Sequence, residues 1–274
     1  MDLITATIET QIQAEVMGNF LRGDYQAAVD HIRPVLDSMY DQIPEKKRIS
    51  HGRYTTIKVL AENLFEDIRN AHLPVLETGV AILDHSNDHR TTGVGLGILA
   101  LYGLDDFHSI LPYFETAAQA GHWEPREYAQ GLFRKVVKAH RTQIHPYLLA
   151  YARSESPYLR RFVSEMLRPV VENQWLYQDL DYSLSIIRHL FREAHPYPRT
   201  SVGNHLSDIA RRDPERVYQL VAELVSMDDK NATWIATRAC RNLVKKEPTR
   251  VMDLLGVDTY KYKDRVYKRE DLPK

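Results

Sequence analysis

The chain holds a single cysteine, Cys240, among 274 residues, which excludes an internal disulfide framework and any cysteine-built zinc site. Long apolar runs are also missing. The longest nearly uninterrupted one, Gly93 to Leu104, is about twelve residues against the ~20 that a membrane-spanning helix needs, so no membrane partner is expected. The amino terminus, MDLITATIETQIQAE, has no basic cluster ahead of an apolar stretch and does not read as a secretory signal; a reducing, cytoplasmic location is expected. There is no Gly/Ser-rich linker to separate tethered domains, and no run of alternating β-branched residues to build a sheet. Net charge is close to absent, at −1.

That near-zero charge conceals an asymmetry. Residues 1–125 hold 9 Lys+Arg against 18 Asp+Glu, whereas residues 126–274 hold 27 against 19. A basic half fits a polyanionic partner, although solvated faces of alternating sign give the same balance. The division this implies is an acidic helical part (1–120), a basic array (121–257) and a basic, Tyr-rich tail (258–274), all within one continuous structure. The tail has no clear apolar face and is read as extended or mobile.

What is present almost everywhere is the three-to-four-residue apolar spacing of amphipathic helices. Helices are read from near Leu3, Asp24, Tyr54, Leu73, His89, Asp105, Pro125, Ile144, Pro157, Tyr182, Pro198, Asp213 and Thr233, with a charged loop between Asp41 and Arg53. Gln130, Glu165, Asn204 and Arg241 recur at separations of 35, 39 and 37 residues, and their neighbours fall into columns. Seven positions earlier stand Trp123, Tyr158, Tyr197 and Trp234. Two positions earlier stand Tyr128, Val163, Val202 and Ala239, and two positions later Leu132, Leu167, Leu206 and Leu243. The period resembles helix-pair repeats of the HEAT type, so the fold class is all-α, a right-handed α-solenoid of HEAT-like repeats.

Helical geometry then sorts the columns. The apolar positions lie about 40° apart on the helical wheel, opposite the repeated polar position, and face the core. The polar strip carries Gln130 and Arg134; Arg161, Glu165 and Arg168; Ser201, Asn204 and Asp208; Arg238, Arg241 and Lys245. It reads as an open basic groove holding two carboxylates, on the surface that a solenoid offers to an extended partner. The aromatic column, Trp234 included, reads as a set of wedges between repeats.

The segments SESPYLRRFVSEMLRPV (154–170), PRTSVGNHLSDIARRDPERV (198–217) and TWIATRACRNLVKKEPTRVMDLLG (233–256) resemble, in order and spacing, the signatures of the DNA alkylation repair glycosylases with HEAT-like repeats, more the AlkC type than the AlkD type. A weaker echo reaches back to about residue 100. The resemblance implies excision of cationic alkylated purines such as 3-methyladenine or 7-methylguanine from duplex DNA, without metal or nucleotide cofactor; a monomer is expected. It carries the family's catalytic carboxylates onto Glu165 and Asp208. Arg134, Arg161, Arg168, Arg199, Asn204, Arg238, Arg241 and Lys245 become candidate DNA contacts.

Two departures accompany it. Gln130 stands where the family has a further acidic residue, and an amide brings no net charge to a developing cation. Asn173 stands where a Trp is expected, with Trp175 two residues on, so an aromatic wall against the base is absent or rebuilt. These leave two alternatives open, a non-catalytic binder of damaged or branched DNA and a HEAT-type protein-binding scaffold. For Glu165 and Asp208 the plain alternative is surface pairing with Arg161, Arg168 or Arg212. Asn204 could equally bond backbone at a helix start. The glycines of Gly93-Val94-Gly95-Leu96-Gly97 read as tight helix packing, since no strand precedes them and no Lys-Ser/Thr follows. His85 and His89 stand four apart without a third ligand motif, so no metal site is expected.

Overall fold

A computed structural model describes residues 3–271. By its internal contacts the chain forms two compact units that meet between Thr142 and Gln143, further along than the change of charge. Among the described residues no helix is long and apolar enough to cross a membrane.

The first unit begins with α1 (Ala6–Gln11), a π-helical turn (Ile12–Met17) and α2 (Gly18–Leu21), then α3 (Tyr25–Asp41), α4 (Glu45–Asn70), α5 (Val75–His85), α6 (His89–Tyr102), α7 (Leu111–Ala118) and α8 (Trp123–Ala139). Asp24 and Asp88 cap α3 and α6 by accepting from the backbone N–H groups of Ala27 and of Arg90 and Thr91. The glycine run lies inside α6, buried on nearly every side. A Cβ on Gly97 would stand 2.5 Å from the Ala61 Cβ of α4, and one on Gly95 would stand 2.7 Å from Leu83 of α5. The glycines therefore allow three helices to approach closely, and the packing reading holds. The charged loop expected between Asp41 and Arg53 is instead largely helix: α4 starts at Glu45 behind Pro44 and is interrupted only at Gly52 (φ −54, ψ −108). Polar composition hid a helix whose first turns have little apolar face to show.

The second unit runs through α9 (Arg141–Ala152, which begins just before the division), α10 (Pro157–Met166), a 3-10 stretch (Val171–Tyr177), α11 (Leu180–Ile187), α12 (Pro196–Ile209), α13 (Pro214–Ser226), α14 (Lys230–Ala239) and α15 (Pro248–Leu255). Four of these helices open on proline, where the missing N–H costs no hydrogen bond. Helix α10 packs on α12 and α12 on α14, while α13 packs on α14 and α15, giving the inner and outer layers of a helix-pair array. All eight residues of the two apolar columns are buried. Helix α15, which the apolar spacing did not single out, ends at Gly256 in the left-handed conformation (φ +65).

The tail takes the extended of the two forms expected for it and makes the one sheet among the described residues. Strands β1 (Thr259–Tyr262) and β2 (Arg265–Lys268) pair antiparallel, Tyr260 opposite Tyr267 and Tyr262 opposite Arg265. Tyr260 is buried and its hydroxyl donates to the Thr237 carbonyl of α14 at 2.7 Å. A single buried tyrosine anchors a segment too short to show an alternating pattern of its own. Residues 272–274 of the tail lie outside the described residues.

Candidate functional site

Much of the polar strip does not open onto solvent as the helical wheel implied. Gln130, Glu165 and Asp208 are 4, 4 and 1% exposed. For Glu165 and Asp208 the reason lies one level above the single helix: α10, α12 and α14 pack side by side, and the polar strip of each falls into the seam with the next. Side chains there pair across helices.

In the seam between α10 and α12, Arg168 binds both carboxylates. Its Nη1 donates to Glu165 Oε2 at 2.8 Å, and its Nε and Nη2 donate to Asp208 Oδ2 at 2.9 and 2.6 Å. The other Glu165 oxygen accepts from the Ser201 hydroxyl at 2.6 Å, and Arg161 stands 3.8 Å from it. Burial by itself would raise the Glu165 pKa; the adjacent Arg168 and Arg161 charges, with the hydrogen bonds from Ser201 and Arg168, hold it below the ordinary carboxylate value. Burial likewise opposes the Arg168 charge, and the two carboxylates more than offset it.

Asp208 is bonded on one side only. Oδ1 is buried and has no hydrogen-bond partner, although Arg211 and Arg241 stand 3.5 and 3.8 Å away. Tyr177 steadies the backbone here, its hydroxyl donating to the Asp208 carbonyl at 3.0 Å. One turn earlier on α12, His205 is wholly buried, and burial, opposed only in part by the Ser164 backbone beside it, pulls its pKa down to about 4, so it is neutral near pH 7.

A second polar cluster fills the seam between α12 and α14. Asn204 Oδ1 accepts from Arg238 Nε at 3.0 Å and from Arg241 Nη1 at 2.7 Å, and Arg241 Nε donates to the Ser207 hydroxyl at 2.9 Å. Asn204 thus organises two arginines rather than a helix start. Arg199 donates to Asn231 at 2.7 Å, and Lys245, exposed, to Asn242 at 3.3 Å. Between α10 and the first turns of α12 lies a hollow of about 400 Å³ walled by Arg161, Glu165, Pro196, Tyr197, Ser201 and Asn204. Asp208 is not among its lining residues.

The aromatic column corrects the wedge reading. Trp234 is 36% exposed and Trp123 56%. The Arg199 guanidinium lies 4.6 Å from the Trp234 ring centre and that of Arg238 5.6 Å, while Arg161 covers Tyr197 at 4.4 Å. Tyr197, in the first turn of α12, and Trp234, near the start of α14, thus each carry a guanidinium over the π-face.

Asn173 is buried and structural in its contacts, its amide donating to the carbonyls of Met166 and Arg168 at 2.6 and 3.1 Å. Trp175 donates to Asn173 and packs near Tyr182. Arg212, the third arginine considered for the carboxylates, stacks over Tyr177 at 4.5 Å instead. Gln130 and Arg134 belong to α8 in the first unit, where the Gln130 amide donates to Glu127. Sequence reasoning passed over Ser207, His205, Tyr177 and Arg211; only the place of the first two on the polar side of α12 could have marked them.

His89, His122 and Glu124 bring three ligand atoms within 4.8 Å of one another. The two imidazoles are stacked, however, with ring centres 4.1 Å apart and planes 14° from parallel. In-plane lone pairs on nearly parallel rings do not converge on one ion, and His122 Nδ1 already accepts from the Glu124 N–H at 3.3 Å.

The sequence matches the family of DNA alkylation repair enzymes over residues 53–243. Over 117 residues it is 30% identical to protein YhaZ of Bacillus subtilis, an alignment covering 40% of this chain and 32% of that one, so the chain matches about a third of that relative's length. Among solved structures, AlkD2 from Streptococcus mutans superposes with a TM-score of 0.61 at 17% identity, covering 78% of this chain and 98% of that one. The Pseudomonas fluorescens alkylpurine DNA glycosylase AlkC, bound to DNA containing an abasic site analogue, gives 0.50 at 20% identity, covering 92% and 66%. At these identities the likeness is one of fold.

Proposed function

The chain belongs to the DNA alkylation repair enzyme family, and from that premise we propose that it binds duplex DNA along the arginine- and aromatic-lined face of its second unit and hydrolyses the N-glycosidic bond of a cationic alkylated purine there. The observation that carries this reading is the pair of buried carboxylates joined by Arg168, with Asp208 Oδ1 left without a hydrogen bond. An alkylated purine leaves with the electron pair of its bond to C1′ and becomes neutral, so little general acid is required. Positive charge develops on the deoxyribose. A carboxylate held nearby stabilises that charge and orients the water that attacks C1′, the proton passing to the carboxylate or to solvent.

Four guanidiniums stand within 4 Å of the two carboxylates, those of Arg161, Arg168, Arg211 and Arg241. This local excess of positive charge favours phosphates before it favours a cationic base. Approach of a DNA backbone would draw the more exposed arginines outward and leave Asp208 Oδ1 as the acceptor facing the sugar. A second reading, DNA binding without base release, is favoured by the bridging position of Arg168, which occupies an oxygen of each carboxylate.

The test is incubation with methylated duplex DNA followed by measurement of released 3-methyladenine and 7-methylguanine. Release is expected, and Asp208→Asn or Glu165→Gln should lower its rate by roughly ten- to ten-thousandfold, the range spanned by one electrostatic or acid–base group. If wild type and Asp208→Asn are equally inert on both lesions, the glycosylase reading fails. DNA affinity that survives in both then leaves the binding reading in place.

A further inference from the structure

We propose that the β1–β2 hairpin is a clamp for the DNA backbone, continuing the cationic and aromatic face of α10, α12 and α14 one step beyond the last of these helices. The inference rests on the reading of the second unit as a DNA-binding face. It concerns a segment outside the stretch that matches the family, which ends at residue 243.

The first support is a regularity in the stacking. An arginine of one inner helix covers an aromatic ring of the next: Arg161 of α10 over Tyr197 of α12, and Arg199 of α12 over Trp234 of α14. The hairpin supplies the next ring in the row, with Arg238 of α14 lying 6.0 Å from the ring centre of Tyr262. The Tyr262 hydroxyl also accepts from Arg241 Nη1 at 3.4 Å. Burial would raise that phenol's pKa, yet the hydrogen bond from Arg241 and the charges of Arg241, Arg238 and Lys263 hold it below its ordinary value. The tyrosine thus sits among cations whose remaining N–H groups have few acceptors, the setting in which a phosphate is favoured.

The second support is the hairpin's own surface. It is riveted in place by Tyr260 on α14 and by Arg269, which pairs with Asp253 at 2.6 Å and Asp258 at 3.1 Å. Lys261, Lys263 and Arg265 are exposed, and among the described residues none of the three forms an ion pair. Lys263 shares the tip with the exposed Asp264 and occupies a turn position at φ +53, a conformation that Gly or Asn adopts more readily; its ammonium stands 5.9 Å from the Tyr262 ring centre. The only large apolar side chain exposed on the hairpin is Val266, opposite Lys261. A protein partner would call for a broader apolar patch; unpaired cations beside a π-face fit the sugar–phosphate backbone of a nucleic acid.

The test uses the full chain carrying Lys261→Ala, Lys263→Ala and Arg265→Ala together, with binding to a fluorescent duplex followed by anisotropy across a salt series. All three positions are exposed, so the thermal midpoint should stay at the wild-type value. The slope of log affinity against log salt should fall by about two to three, and affinity near 0.1 M salt should drop at least about tenfold. Tyr262→Ala should weaken binding while leaving the slope nearly unchanged. If the triple variant binds as wild type does, whereas Arg238→Ala with Arg241→Ala binds more weakly, the clamp is overturned and the DNA-binding face stands. If wild type itself has no affinity for duplex at any salt, both fall together.

Discussion

The central helices of the two units, α6 and α12, are both buried along most of their length, by opposite means. Helix α6 is enclosed through glycine contacts with α4 and α5, and among the described residues of the first unit the buried polar side chains apart from Arg90 are uncharged. Helix α12 carries Ser201, His205, Ser207 and Asp208 into the interior of the second unit, where Glu165 and Glu193 are buried as well. The same column of the repeat makes the contrast at one position. Gln130 in the first unit settles on Glu127, whereas Glu165 in the second needs Arg168, Arg161 and Ser201 around it. Buried ion pairs are weak sources of stability, because desolvation consumes much of the attraction. Their concentration in one unit sets its charged interior apart from the largely apolar packing of the other.

That contrast can be broken most sharply at Arg168. Removing the guanidinium with Arg168→Met strands two buried carboxylates and should cost about 3–5 kcal/mol in urea unfolding, toward the lower end because Arg161, Arg211 and Arg241 remain nearby. Adding Glu165→Gln and Asp208→Asn to the same chain should recover most of the loss. An Arg168→Met protein as stable as wild type would show that the seam does not depend on Arg168 to hold its buried carboxylates.

Next in size is a pH effect confined to the second unit. His205 titrates near 4 when folded, against about 6.5 for an unperturbed histidine, so the unfolded chain binds the extra proton first as pH falls. Stability should therefore be complete above about pH 6.5 and decline between 6.5 and 4, by roughly 3 kcal/mol in all. His205→Leu should flatten thermal midpoints across that window; a slope that persists in the variant would assign the effect elsewhere. The depressed Glu165 acts lower, its contribution present above the ordinary carboxylate pKa and lost as pH drops through its folded value.

The smallest effect is expected where packing alone is at stake. Gly97→Val would force its side chain against Ala61 and should destabilise the first unit by about 1–3 kcal/mol. Because no charge is involved, the cost should be the same at pH 7 and pH 5. A pH-dependent cost would mean that the two interiors are less distinct than their burial patterns imply.

Several features were legible before any coordinates. The two apolar columns flanking the repeated position all proved buried, since a 3.6-residue period is a property of one helix and needs no neighbour to express it. The prolines at the starts of α10, α12 and α13 mark helices read from the sequence for an equally local reason. Glu165 and Asp208 could be named from motif and spacing. Arg168 was among the arginines considered for them at the surface; that the pairing is buried, and that this one side chain joins both carboxylates across 40 residues of chain, was not legible.

By itself, then, the amino-acid sequence determined the all-α class, the repeat and its core columns, because each follows from side-chain periodicity along a single helix. Tertiary structure decided which polar residues lie in a seam and which in solvent, that Trp234 is a surface ring flanked by arginines rather than a wedge, and that the tail folds back as a hairpin onto α14. Those outcomes depend on which face of a helix its neighbour covers, a matter of contacts between residues some 20 to 40 positions apart, and no pattern within one helix encodes it.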